Sequence, residues 1–317
     1  MRALVTGAGG FAGRHLAAEL LVQGHAVTAC GLAGAGTPPD GARWLDLDVT
    51  DAQACRAVLA AERPEWIFHL AGVAHVGRAE AAPDECLRVN FGGTRSVLAA
   101  ALEHAPAARV VLASSAEAYG RVPPDALPVT EERALRPATL YAASKAAAEM
   151  LAHHAAARGL DVVILRPFNH AGPGQSDDFV TAAFARQLAR IEAGCQEPVM
   201  RVGNLSAVRD LCDVRDVARA YVGAARAARA GEAYNVTTGR GVAVSEILDT
   251  LRALARVPVR VETDPARLRP VDVPVFHGCG EKLARDTGVR LVLDLQTTLR
   301  DVLDYWRAIE PAGSERR

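Results

Sequence analysis

The chain has 317 residues, half of them hydrophobic and 23 % charged, which suits a globular fold with one large domain and a smaller lobe. A formal charge of −1 gives no long-range pull toward nucleic acid or an anionic membrane, so any affinity for phosphate has to be local. No apolar run approaches the ~18 residues of a membrane span, and the six scattered cysteines form no CxxC pair, which argues for reduced thiols in the cytoplasm and against a metal site or a disulfide framework.

Arg2 to Thr6 reads as a short apolar strand running into Gly7-Ala-Gly-Gly10-Phe-Ala-Gly13 and then a helix that begins near Phe11 and continues to Gln23. A strand this close to Met1 leaves no room for a signal peptide. In such a strand, glycine turn and helix, Gly7 permits a sharp turn and Gly10 lets backbone approach a pyrophosphate. Gly13 allows close packing of helix on strand, and the first amides of the helix hold the phosphates. Taken alone, the same glycines would also serve ordinary turns.

A second strand, His25 to Gly31, ends Ala29-Cys30-Gly31-Leu32. That position offers neither the acidic residue that binds an adenosine ribose nor an arginine for a 2′-phosphate, so NAD and NADP both stay open. Gly34 to Asp40 is a loop, and Arg43 to Asp51 a strand entering a helix, with Asp51 as its cap. Asp48 and Val49 sit where an adenine would lie. Glu65 to Gly72 is a buried strand; His69 reads as a hydrogen-bonded core residue and His75 stays undecided. Asp84 to His104 reads as one long helix carrying Asn90, followed by the strand Arg109 to Ala113. Strands alternating with helices predict an α/β fold, a doubly wound parallel sheet.

Two segments carry the chemistry. Ser114-Ser115-Ala116-Glu117 lies at the carboxyl end of a strand, where open parallel sheets bind ligands. Tyr141 and Lys145, four apart, share a helix face. A neighbouring ammonium is expected to lower the tyrosine pKa toward neutrality, fitting the phenol for proton transfer to or from a sugar oxygen. Asp161 to Arg166 is the last clear strand of the sheet, and the elements beyond it are a helix from Phe179 to Ala193, a strand from Val199 to Gly203, a helix from Val214 to Ala228, a strand from Ala233 to Val236 and a helix from Val244 to Ala255.

The order Gly7-x-x-Gly10-x-x-Gly13, Asp48-Val49, His69-Leu-Ala-Gly72, Asn90, Ser115, Tyr141-x-x-x-Lys145 and Arg166-Pro-Phe-Asn169 resembles the extended short-chain dehydrogenase/reductase (epimerase/dehydratase) family over nearly the whole chain. The resemblance implies a Rossmann-type domain binding NAD(H) or NADP(H), over 1–168 and about 211–240. It also implies a smaller α/β C-terminal lobe for a nucleotide sugar, over about 169–210 and 241–309, with 310–317 as a flexible tail. Carried over, Tyr141 is the general acid/base, Ser115 orients the reacting oxygen, and Lys145 binds the nicotinamide ribose. The cofactor side takes in Gly7, Gly10, Phe11, Ala12, Gly13, Asp48, Val49, Leu70, Ala71, Gly72, Asn90, Pro167 and Phe168.

Within the family the second half is most similar to reductases acting on GDP-4-keto-6-deoxy-mannose, and next to GDP-mannose 4,6-dehydratases. The shared features are Phe168-Asn169-His170, Phe179-Val180, Gly203-Asn204-Leu205, Arg209-Asp210 and Arg269-Pro270. By that analogy Asn169 and Arg209 hold the diphosphate side, Arg269 the diphosphate or nucleotide ribose, and Val180 borders the base. Dehydratases carry Thr-Asp-Glu or Thr-Ser-Glu where this chain has Ser115-Ala116-Glu117, which favours simple reduction while Glu117 keeps dehydration open. The family also contains non-catalytic sensors, whose usual mark is loss of the tyrosine or lysine; both are present here. Family analogy further implies a homodimer, paired through 84–104 and 141–158.

Overall fold

The computed structural model describes residues 1–34, 36–267 and 273–310. Along the chain run β1 (Arg2–Thr6), α1 (Phe11–Val22), β2 (Ala26–Gly31), β3 (Arg43–Asp46), α2 (Ala52–Glu62), β4 (Trp66–His69), α3 (Val76–Ala81) and α4 (Pro83–Leu87). A π-helical turn at Arg88–Gly93 leads into α5 (Thr94–His104), then β5 (Arg109–Ala113), α6 (Leu140–Ala157) and β6 (Asp161–Pro167). The remainder comprises β7 (Asn169–Ala171), α7 (Val180–Glu192), β8 (Val199–Val202), β9 (Val208–Asp213), α8 (Val214–Ala227) and β10 (Ala233–Val236). It ends with β11 (Gly241–Ala243), α9 (Val244–Ala253), β12 (Arg260–Thr263), β13 (Val275–Phe276), α10 (Glu281–Thr287) and α11 (Leu295–Ile309).

Seven strands form one parallel sheet in the order β10-β6-β5-β4-β1-β2-β3. The strands are apolar at consecutive positions because both faces are covered. Val5, Phe68 and Leu165 pack under α1 and α8 on one face, while Leu4, Ile67 and Ile164 meet α2, α5 and α6 on the other. Order reverses between β1 and β4, and it is outside the carboxyl ends of such strands that ligands bind. A third core joins α7, α9 and α11 through Leu188, Leu248, Leu299 and Trp306. Short strands flank it: β11-β9-β13 with β7 on β9, and β12 beside β8.

Polar caps start several helices as side-chain chemistry dictates. Asp51 accepts from the amides of Gln53 and Ala54 (2.9 and 3.0 Å), and Thr139 accepts from Ala142 at the start of α6 (3.1 Å). His75, undecided from sequence, caps α3 by accepting from Arg78 N at 3.2 Å.

Three expectations change. The segment expected as one helix from Asp84 to His104 is α4, a π turn and α5, and Asn90 lies in the π turn. There, a Cβ on Gly93 would stand 2.6 Å from Val49 Cγ2, so the widened turn passes close to the β3–α2 connection. Asp161–Pro167 is not the last strand of the sheet, because β10 pairs with it in parallel along the edge. Glu310, read as part of a tail, accepts from Arg186 at 2.7 Å and Arg190 at 3.2 Å; 311–317 lie outside the described residues. Among the described residues, no helix is long and apolar enough to cross a membrane, and no group of acidic, histidine and cysteine side chains is arranged to hold a metal ion.

Candidate active site

The glycine loop is shaped by its own packing as much as by any ligand. Gly7 adopts φ +72°, and a Cβ there would lie 2.6 Å from Ala71 N. A Cβ at Gly13 would lie 2.2 Å from Gly7 O, so any side chain at position 13 pushes α1 off the loop. Gly10 differs. Its Cβ would meet only Gly7 O, at 3.2 Å, leaving space in front of the first amides of α1, those of Phe11 and Ala12. Unpaired amides with open space before them suit a pyrophosphate, so the residues fit a dinucleotide.

Beside the loop, Leu70 N donates to Thr6 O (3.2 Å) and Ala71 N to Thr6 Oγ1 (3.3 Å), carrying the chain to Gly72. A Cβ on Gly72 would stand 2.8 Å from Asn90 Oδ1 and 3.4 Å from Lys145 Nζ. Asn90 Oδ1 accepts from Val73 N at 2.7 Å, and its amide donates to Val73 O (3.1 Å) and Ser144 Oγ (2.8 Å). Asn90 thus ties the β4–α3 connection to α6. His69 is the core residue expected, its ring between Thr6 Oγ1 (2.7 Å) and Thr94 Oγ1 (3.1 Å). Burial holds it neutral, its pKa pushed down to about 3. Asp48, expected to border the adenine, accepts from Thr50 N (2.9 Å) and Thr50 Oγ1 (2.8 Å), and Val49 is buried.

Ser115 follows β5, with its hydroxyl beside the Tyr141 phenol and able to stabilise the phenolate. Ser115 Oγ also accepts from Glu117 N at 3.2 Å. One turn along α6 from Tyr141, Lys145 Nζ donates to Ala113 O at 2.8 Å, which fixes the side chain against the end of β5. Both are buried. Glu117 is exposed and close enough for its charge to disfavour the phenolate.

The expected lowering of the tyrosine pKa is corrected here. Burial raises Tyr141 to about 12; the neighbouring Ser115 hydroxyl opposes this and the Glu117 charge adds to it. Lys145 moves the other way, down to about 8, because burial disfavours its charge more than Glu149 supports it. A desolvated phenol beside a carboxylate stays protonated. It is therefore equipped to give a proton.

Other expected residues are placed as follows. Pro167 ends β6, and the Phe168 ring is buried 5.0 Å from that of Phe276, so Phe168 supports the core at this point. Asn169 is exposed at the start of β7, and Val180 is 42 % exposed at the first turn of α7. Arg209 donates from Nη1 to Val208 O (2.8 Å) and Val273 O (2.6 Å). Arg269 lies outside the described residues.

Sequence reading missed two groups around the site. His170 stacks on Phe11 (5.9 Å, 6°), His15 bonds Pro173 O (2.9 Å), and Arg14 donates to Gly174 O (3.2 Å), so 170–174 clasps the start of α1. Beneath Ser115, buried Glu149 pairs with Arg166 (2.6 Å) and accepts from Ser114 Oγ; Arg166 also donates to Tyr119 OH (2.9 Å), which donates to Asn235 (2.8 Å). Glu149 follows Lys145 by four residues on the same helix face, which was the only local hint of that network.

A profile of the NAD dependent epimerase/dehydratase family matches residues 3–237. The chain is similar to GDP-6-deoxy-D-mannose reductase of Pseudomonas aeruginosa, 35 % identical with 97 % of each chain covered. The solved structure of RMD from Pseudomonas aeruginosa complexed with NADPH superposes with a TM-score of 0.84, at 33 % identity over 97 % of this chain and 99 % of that one. The UDP-glucose 4-epimerase of Thermus thermophilus, solved in complex with NAD, superposes at 0.87, with 29 % identity over 98 % of this chain and all of that one (100 %).

Proposed function

Because the chain belongs to the NAD dependent epimerase/dehydratase family, we propose that it is an NAD(P)H-dependent reductase of a nucleotide-linked 4-keto-6-deoxyhexose, converting GDP-4-keto-6-deoxy-D-mannose to GDP-D-rhamnose. The observation that carries this reading is the placement of Tyr141, buried beside Ser115 at the end of β5 and one turn from Lys145 on α6, with Ala116 contributing no acid or base beside it. Reduction asks one proton of the protein. Dehydration asks in addition for a base at C5 and an acid at C6.

When bound, a reduced nicotinamide supplies the hydride to the keto carbon. The Ser115 hydroxyl, beside the Tyr141 phenol, turns its single proton to the carbonyl oxygen and so fixes that oxygen against the phenol. Tyr141 then passes its proton to that oxygen. The Lys145 ammonium, held on Ala113 O, stabilises the phenolate left behind, by the attraction of opposite charges in a dry site. The open space at Gly10 and the first amides of α1 take the cofactor pyrophosphate. Asn169, Arg209 and Val180 border the sugar nucleotide in this reading, with Glu117 on a sugar hydroxyl.

A second reading, GDP-mannose 4,6-dehydratase, is favoured by Glu117, an exposed carboxylate near Tyr141. Mixing the protein with GDP-4-keto-6-deoxy-mannose and NADH or NADPH separates the two. Reductase action consumes one nicotinamide per sugar, followed at the nicotinamide absorbance. Turnover of GDP-mannose with no added reductant, and no consumption with the keto sugar, rejects reduction in favour of dehydration.

The same reading includes a homodimer. Leu87 (41 %), Phe91 (39 %) and Met150 (55 %) are apolar and exposed on the α4–α5 segment and on α6, which pack side by side. A second copy of these helices would cover them. Light scattering is expected to give twice the 33.4 kDa chain mass, and Phe91→Glu to shift it to the monomer. A monomer in the parent protein defeats the pairing.

A further inference from the structure

We propose that the adenosine-ribose end of the cofactor site is built for a free 2′-hydroxyl, with Asp46 as its acceptor, so that the protein selects NAD(H) over NADP(H). This deepens the cofactor part of the proposed function and is independent of the sugar.

At the carboxyl end of β2 the position that usually carries an acidic side chain is Gly31. It is glycine because its side-chain space is taken: a Cβ there would lie 2.7 Å from Trp44 Cη2. Gly31 is paired in parallel register with Asp46 on β3. Trp44 and Asp46 are two apart on one strand and so face the same side as that missing side chain. The Trp44 indole donates to Asp46 Oδ1 at 2.8 Å, which orients the carboxylate; among the described residues Oδ2 has no partner. An acid from the neighbouring strand thus stands beside the place where one from β2 would stand.

The β2–β3 connection brings no cation to meet a phosphate there. Residues 32–42, the whole β2–β3 connection, contain no lysine, arginine or histidine, and they add Asp40. This connection borders the glycine loop, since a Cβ at Gly36 would be 2.8 Å from Gly9 O. Ala8 and Gly9 are also uncharged. Arg43 opens β3, three residues before Asp46, which puts its backbone ~10 Å along the strand, and its guanidinium pairs with Glu62 at 3.0 Å. Arg88 donates to Thr50 Oγ1 at 2.7 Å, beyond Asp48 on the adenine side. A 2′-phosphate would bring a charge of about −1.5 to −2 against the Asp46 carboxylate. A 2′-hydroxyl would instead donate to it.

Calorimetric titration of the full chain with NADH and NADPH, and with 5′-AMP and adenosine 2′,5′-bisphosphate as probes of the adenosine half alone, tests this without any turnover. NADH is expected to bind about tenfold or more tightly than NADPH, and 5′-AMP more tightly than the bisphosphate. Asp46→Asn is expected to narrow both ratios, weakening the hydroxyl ligand and relieving the phosphate one. Leu32→Arg, at an exposed position next to Gly31, is expected to tighten NADPH with little change for NADH. NADPH binding as tightly as NADH, unchanged ratios in Asp46→Asn, or selective loss of NADPH in Arg88→Gln each overturns the proposal and leaves the dinucleotide reading standing. Binding of neither dinucleotide removes both.

Discussion

Replacing Tyr141 by phenylalanine is expected to lower kcat by about 10²–10⁴-fold, the usual contribution of a positioned proton donor, with the dissociation constant of the cofactor little changed. The ring stays in place among Val73, Ala79 and Cys86, so the fold has no reason to alter. Only the hydroxyl that meets Ser115 is lost. The pH profile of the parent protein checks the same assignment. Lys145, lowered to about 8, loses its charge well before the phenol, raised to about 12. Below pH 8 the ammonium is present to stabilise the phenolate formed on proton transfer; above it that help is withdrawn while the phenol remains an acid. The alkaline fall of kcat/KM is therefore expected near pH 8, where the lysine titrates. A profile flat through pH 10, or a Tyr141→Phe enzyme with parental kcat, would falsify the assignment of the proton donor.

Glu149→Ala is expected to cause the largest loss of stability of any single change beneath the site, about 3–5 kcal/mol, as when one partner of a buried ion pair is removed. The carboxylate is fully buried, pairs with Arg166 at 2.6 Å and anchors Ser114 next to Ser115. Its loss leaves the guanidinium with Tyr119 as neutral partner and no counter-charge. Replacing both, as Glu149→Met with Arg166→Met, is expected to recover much of the loss, since it leaves no orphaned charge. Urea unfolding gives the comparison; a Glu149→Ala midpoint equal to that of the parent would refute this account of the network.

The two expectations differ in how far they were visible from the chain itself. Tyr141 and Lys145 were legible because the helix repeat alone puts residues four apart on one face, and the glycine loop because a turn between strand and helix needs Gly7 at positive φ. Asp51 was legible as a cap for the same local reason. Tyr119 and Asn235 are 116 residues apart, and no spacing rule connects them. Nor does the run from Asp84 to His104 announce that its middle widens into a π turn; that turn lies where Asn90 meets Val73 and Gly93 meets Val49.

Local order along the chain thus determined the parallel α/β architecture, the glycine turn after β1 and the shared helix face of Tyr141 and Lys145, because each rests on residues within a turn or a strand of one another. Tertiary structure alone decided which way the pKa values of Tyr141 and Lys145 move, since desolvation depends on what the rest of the chain packs around a group; at Lys145 it outweighs the charge of Glu149 on the same helix. It also decided that Phe168 faces the core and that Asp46, on β3, stands beside the gap left by Gly31. Pairing between strands brings such residues together, and the register of a parallel sheet is set by the packing of both its faces.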